Sequence, residues 1–187
     1  MRRGFKTEAE TRSASARRAM KLAAHAPLDP WNYAAHRNVV VLDIKALCLD
    51  TATLQQLTVV DPSSWSAMTL KDGDQFGIVI NPAHVPWRQS NDLMHELAHI
   101  DLNHVPARVD VSPNGLLLLS DYSDEQELEA DWLAAALLVP REGLMRLRRQ
   151  QQNVTEIAGF FGVSNQLCEW RLRMTGVDTQ IRRAMNR

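Results

Sequence analysis

The stretch His95-Glu96-Leu97-Ala98-His99 holds the residues of this chain best suited to chemistry. On an α-helix, side chains at i and i+4 lie one above the other, about 5–6 Å apart at Cβ, so two imidazoles can reach one ion. Zinc takes nitrogen ligands at roughly 2.0–2.1 Å in a tetrahedral array, and a catalytic site keeps one position for water. Glu96 emerges about 100° round the helix from His95, close enough to touch that water without binding the ion. It is therefore placed as a general base, the catalytic residue of a peptide hydrolysis. The flanking sequence supports a helix from Trp87 to Asn103, with Leu93, Met94, Leu97, Ile100 and Leu102 at apolar positions and Pro86 and Pro106 as bounds.

Two histidines are one ligand short. The segment Asp124-Glu125-Gln126-Glu127-Leu128-Glu129-Ala130-Asp131 opens a second helix that continues through Trp132, Leu133, Leu137 and Leu138 and stops before Pro140. Its small residues Ala130, Ala134, Ala135 and Ala136 would let another helix approach closely. Glu127 and Asp131 share a face one turn apart, so Glu127 can bind the metal while Asp131 accepts the second ring N–H of a ligand histidine, His95. Glu125 and Glu129 are the alternatives to Glu127. The acidic cluster also suits a helix N-terminus capped by Ser123 or Asp124. His104 lies some 140° round the helix from His99 and is expected at the surface or at the helix end rather than as a ligand. The longer His-Glu-x-x-His-x-x-Gly-x-x-His pattern fails, because Leu102 stands at the Gly position and Val105 at the third His. His25, His36 and His84 are further site histidines to locate. Tyr122, just before the second motif, is a candidate oxyanion donor or a packing residue.

The first motif, followed by Glu127-Leu128-Glu129-Ala130-Asp131-Trp132-Leu133-Ala134-Ala135-Ala136-Leu137-Leu138-Val139-Pro140, resembles the ImmA/IrrE family of zinc metallopeptidases. The family's second motif reads Glu-x-Glu-Ala-Asn/Asp, an aromatic, Ala, then Leu-Leu-x-Pro; Trp132-Leu133 departs conservatively from the aromatic-Ala pair. Arg2-Arg3-Gly4-Phe5-Lys6 and Pro27-Leu28-Asp29-Pro30 are also similar, so the likeness spans roughly residues 3 to 175. The resemblance implies a gluzincin-like endopeptidase with one Zn2+ per chain and a protein substrate. That substrate would be a phage-type (XRE-like) helix-turn-helix repressor encoded nearby, whose cleavage relieves repression in a stress response.

The chain has 187 residues, 45% apolar and 23% charged, the balance of a soluble protein with one principal domain. A net charge of -1 argues against attraction of the whole protein to nucleic acid or membrane. Cys48 and Cys168 form no C-x-x-C pattern and are expected as reduced, packed thiols. With no long apolar run and no signal-type N-terminus, the expected location is the cytoplasm.

The metal helices need a scaffold. The first 25 residues read as a helix, with Phe5, Ala9, Ala16, Met20 and Ala24 on one side and the basic Arg2, Arg3 and Lys6 expected as a solvated face. Trp31 to Arg37 is a short helix capped near Asp29, and Val39 to Leu42 a strand. Further strands are expected over Trp65–Leu70 and Phe76–Ile80, joined by the turn residues Lys71-Asp72-Gly73-Asp74. The expected fold class is α+β, a small, mostly antiparallel sheet packed on the helical pair. One of those two strands is expected at the sheet edge, binding an extended substrate by strand addition.

Residues 1–140 are expected to form the peptidase domain and 141–187 a helical, helix-turn-helix-like subdomain. There Val154–Ser164 reads as first helix and turn, and Asn165–Met174 as second helix. Arg171 and Arg173 could meet phosphates and Gln166 and Glu169 could read bases, while the bulky Trp170 and Leu172 favour packing or substrate docking over DNA binding. The alternative functional class is a non-cleaving zinc-fold module that docks a repressor or DNA through these helices.

Overall fold

The computed structural model describes residues 1–47, 49–111 and 117–186; Cys48 lies outside the described residues. The chain begins with helix α1 (Phe5–Ala19), ended by Met20 and by Lys21 at φ 58°, so it stops earlier than the sequence periodicity predicts. Helix α2 (Pro30–His36) starts where Asp29 accepts from the Asn32 N–H with Pro30 at the first turn. Strand β1 (Val39–Leu42) and the short helix α3 (Thr51–Gln55) follow. Strands β2 (Ala67–Asp72) and β3 (Gln75–Ile80) form a hairpin whose two-residue turn places Gly73 at φ 55°, a conformation that glycine adopts without strain. Next come helix α4 (Pro86–Asp101), strands β4 (Arg108–Val111) and β5 (Leu117–Ser120), and helix α5 (Asp124–Leu138). Helices α6 (Arg141–Arg149), α7 (Val154–Phe161), α8 (Asn165–Thr175) and α9 (Val177–Met185) complete the order.

Among the described residues, five strands make one sheet in the order β1-β3-β2-β5-β4. Only β1 and β3 are parallel; the other neighbours are antiparallel, giving an α+β fold with a mostly antiparallel sheet. The edge expectation requires correction, because β2 lies between β3 and β5, and β3 between β1 and β2. The edges are β1 and β4. Sequence reading missed β4 and β5, since Leu117-Leu118-Leu119 carries no alternation to mark a half-buried strand.

Strand alternation divides the apolar residues between two faces. Ile78 and Ile80 join the main core with Leu93, Met94 and Leu97 of α4 and Leu133 and Leu137 of α5, while Val79 and Leu70 pack with Ile44 on the other face. The alanines of α5 let it sit against both α1 and α4. Buried Arg17 locks the first of these contacts: it donates to the Leu137 carbonyl (2.6 Å), the Ala26 carbonyl (2.9 Å) and Ser13 Oγ (2.7 Å).

The main core also takes in Leu144, Ile157, Phe161, Cys168 and Leu172, from helices beyond Pro140. α7 and α8 have the expected helix-turn-helix outline, with Gly162 at φ 66° closing α7. Arg171, however, cannot meet a phosphate. It is fully buried, donating to the Val139 carbonyl (2.9 Å) and to Glu10 (2.6 Å), whereas Arg173 is exposed. No helix among the described residues is long and apolar enough to cross a membrane.

Candidate metal centre

Helix α4 buries Leu93, Met94, Leu97 and Ala98, which leaves the other stripe, His95 and His99, facing α5. α5 begins with a capping box in which Ser123 accepts from the Gln126 N–H and Gln126 returns to the Ser123 N–H. That cap sets the phase of the next turn, bringing Glu127 opposite the histidines.

His95 Nε2 lies 3.0 Å from His99 Nε2 and 3.1 Å from Glu127 Oε2, and His99 Nε2 lies 3.7 Å from the same oxygen. Ligands roughly 2.05 Å from a tetrahedral zinc ion would be about 3.3 Å apart, so the three donors fit around one ion. The other acidic candidates face elsewhere: Glu125 is exposed, and Glu129 accepts hydrogen bonds from Arg2. His95 Nδ1 meets Asp131 Oδ1 at 2.9 Å, the contact that fixes a ring tautomer. His25 contacts Arg146, His36 stacks near Tyr33, and His84 pairs with Asp92 at 2.9 Å; among the described residues none of these three belongs to the cluster.

The charges fit a cation site. Burial disfavours charge on His95, but hydrogen bonds to Asp131 and Glu127 outweigh it and push its pKa up to about 10. Burial and the cationic His95 push His99 down to about 3. The carboxylates of Asp131 and Glu127 thus favour positive charge beside them.

Glu96 accepts a hydrogen bond from Thr69 of β2, 27 positions earlier in the chain. Burial raises the carboxylate's pKa, with the Thr69 hydroxyl and His95 acting the other way, which suits a group that takes up and gives back a proton. Sequence reading missed Thr69, and only its place on a strand that crosses α4 could have signalled it. The Tyr122 ring stacks on His99, centroids 3.8 Å apart at 29°. Burial, followed by the nearby Glu96 and Glu127 charges, raises the pKa of its hydroxyl and keeps it a donor. Of the two expectations for His104, the structure shows the helix end and not the surface. Its side chain is only 7% exposed, and its Nδ1 lies 3.0 Å from His99 Nδ1. The basic face is exposed, as expected, at Arg2, Arg3 and Lys6, although Arg2 also binds Glu129 and Lys6 lies over the Trp132 ring at 4.3 Å.

An α+β domain in which a carboxylate helix closes on a His-Glu-x-x-His helix is a metallopeptidase-like domain. The profile of the IrrE N-terminal-like domain, a peptidase family, matches residues 64–173, from the approach to β2 into α8. That is more than half of the chain, and the chain belongs to this family. No curated protein and no solved structure matches it significantly.

Proposed function

We propose that this protein is a zinc-dependent endopeptidase that cuts a protein substrate. The observation that carries the reading is the convergence of His95 Nε2, His99 Nε2 and Glu127 Oε2 beside a Glu96 held by Thr69. Zinc bound there would supply Lewis-acid polarisation of the scissile carbonyl and of the attacking water. Glu96 accepts the water's proton and returns it to the departing amine nitrogen. Thr69 aims the Glu96 carboxylate, and Asp131 keeps the His95 proton on Nδ1 so that Nε2 stays free as a ligand. The Tyr122 hydroxyl is the candidate donor to the developing oxyanion.

The substrate must be extended to lie along such a site. Of the two sheet edges we favour β4 for strand addition, because Val109 lines a cavity of about 280 Å3 together with His99 and Tyr122. Exposed Val109 and Val111 offer apolar contacts to such a strand. The identity of the substrate, an XRE-like repressor encoded nearby whose cleavage relieves repression, follows from the family resemblance, as does the cytoplasmic location; free, buried Cys168 is in keeping with the latter. Residues 141–187 then serve to dock the substrate, since Gln166, Glu169 and Trp170 of α8 face Trp87 and Asn91 of α4 across a groove of about 600 Å3.

The test is incubation of the zinc-loaded protein with the purified neighbouring repressor, with Glu96→Gln as control. Discrete fragments from wild type alone support the reading. Tight binding without cleavage by both proteins would favour the docking module.

A further inference from the structure

The two imidazoles of the proposed metal site differ in what lies behind them. His95 is backed by a carboxylate, Asp131, whereas His99 is backed by another histidine. The end of α4 brings this about. Asn103 turns into the left-handed region at φ 51°, its N–H bonds to the Ile100 carbonyl, and the His104 N–H bonds to the His99 carbonyl, both at 3.0 Å. These are the two hydrogen bonds of a Schellman closure. The reversal lays the His104 ring against that of His99, centroids 4.9 Å apart and nearly perpendicular, instead of carrying it away round the helix.

Behind His104 the chain of contacts continues. Its Nε2 is buried without a hydrogen-bond partner among the described residues and faces Glu129 Oε2 at 3.7 Å. Glu129 is itself only 5% exposed at its side chain, and Arg2 holds it by the backbone N–H (2.8 Å) and by Nε to both oxygens (2.9 and 3.0 Å).

We propose that His104, backed by Glu129 and Arg2, is the positioning residue for His99. A histidine that binds a metal through Nε2 carries its proton on Nδ1 and needs an acceptor there. His104 Nδ1 is that acceptor, which leaves the His104 proton on Nε2, directed at the Glu129 carboxylate. Each link fixes the tautomer of the next, and Arg2 ties the start of the chain to the metal site. The inference rests on the reading of His95, His99 and Glu127 as ligands.

The test is zinc affinity by chelator competition, with the absorption spectrum of the cobalt(II)-loaded protein as a second readout. His104→Phe keeps the ring but removes the acceptor; it should weaken zinc binding roughly 10- to 100-fold and alter the cobalt spectrum. His104→Asn, whose amide oxygen takes the place of Nδ1, should recover much of that loss, and Glu129→Gln should show a smaller one. Wild-type affinity and spectrum in His104→Phe, or no recovery in His104→Asn, overturns the proposal. Should His104→Phe not fold, Glu129→Gln decides, and unchanged zinc affinity there counts against the relay. A wild-type protein that takes up no zinc overturns the metal reading itself and the relay with it.

Discussion

The Asp131 carboxylate lies 2.9 Å from His95 Nδ1, although its own side chain is 66% exposed. A group so open to water contributes little to folding, so its effect should fall on the site. Asp131→Ala is expected to lower zinc affinity roughly 10- to 100-fold, and Asp131→Asn less, since an amide oxygen still accepts the ring N–H. Zinc titration measures this, and a thermal melt close to that of wild type shows that the fold is intact.

The donor triangle predicts about one zinc per chain and its loss in His95→Ala, His99→Ala and Glu127→Ala. Elemental analysis after gel filtration reads the content. Retention of full metal by Glu127→Ala would exclude it as the third ligand.

Glu96→Gln should keep zinc and fold but lower cleavage by roughly two to four orders of magnitude, because an amide cannot accept the proton. Thr69→Val should be milder, about tenfold, the rate cost of roughly 1.4 kcal/mol for a lost hydrogen bond to a carboxylate. The measurement is kcat with zinc content held equal. An unaffected Thr69→Val would mean that the β2 contact does not aim the base.

Arg17 is fully buried and bonded to two carbonyls, Ala26 in the loop after α1 and Leu137 of α5. Arg17→Met would strand those carbonyls and Ser13, at a cost of about 3 kcal/mol. Urea denaturation should show a lower midpoint at an unchanged slope, with zinc stoichiometry preserved in the folded fraction.

Cys168 provides an alkaline limb. Burial pushes its thiol up to about 11 from an ordinary 9.0, so the folded state holds the proton that the unfolded chain releases. Its contribution is complete below pH 9 and is lost as pH rises towards 11, up to about 2–3 kcal/mol. Urea melts between pH 8 and 10.5 should fall less steeply for Cys168→Ala than for wild type.

Much of the proposed site was legible along the chain because it is written in helix period. His95 and His99 share a face by being four apart, as do Glu127 and Asp131, and a cap at Ser123 or Asp124 marks roughly where α5 begins. Such relations span one turn and depend little on what packs around them. The strand edges were not legible, because β5 and β4, chain-distant from β2, pair beside it and move the edge outward. The contact of the His104 ring with His99 was not legible either, because the left-handed turn at Asn103 ends the helical spacing and reverses the chain. The Thr69–Glu96 contact and the burial of Arg171 against Val139 and Glu10 likewise join residues far apart in sequence. Periodicity assigns a side chain to a face of its own helix or strand. What it meets there is decided by how the elements pack, through contacts between segments that carry no spacing relation to one another.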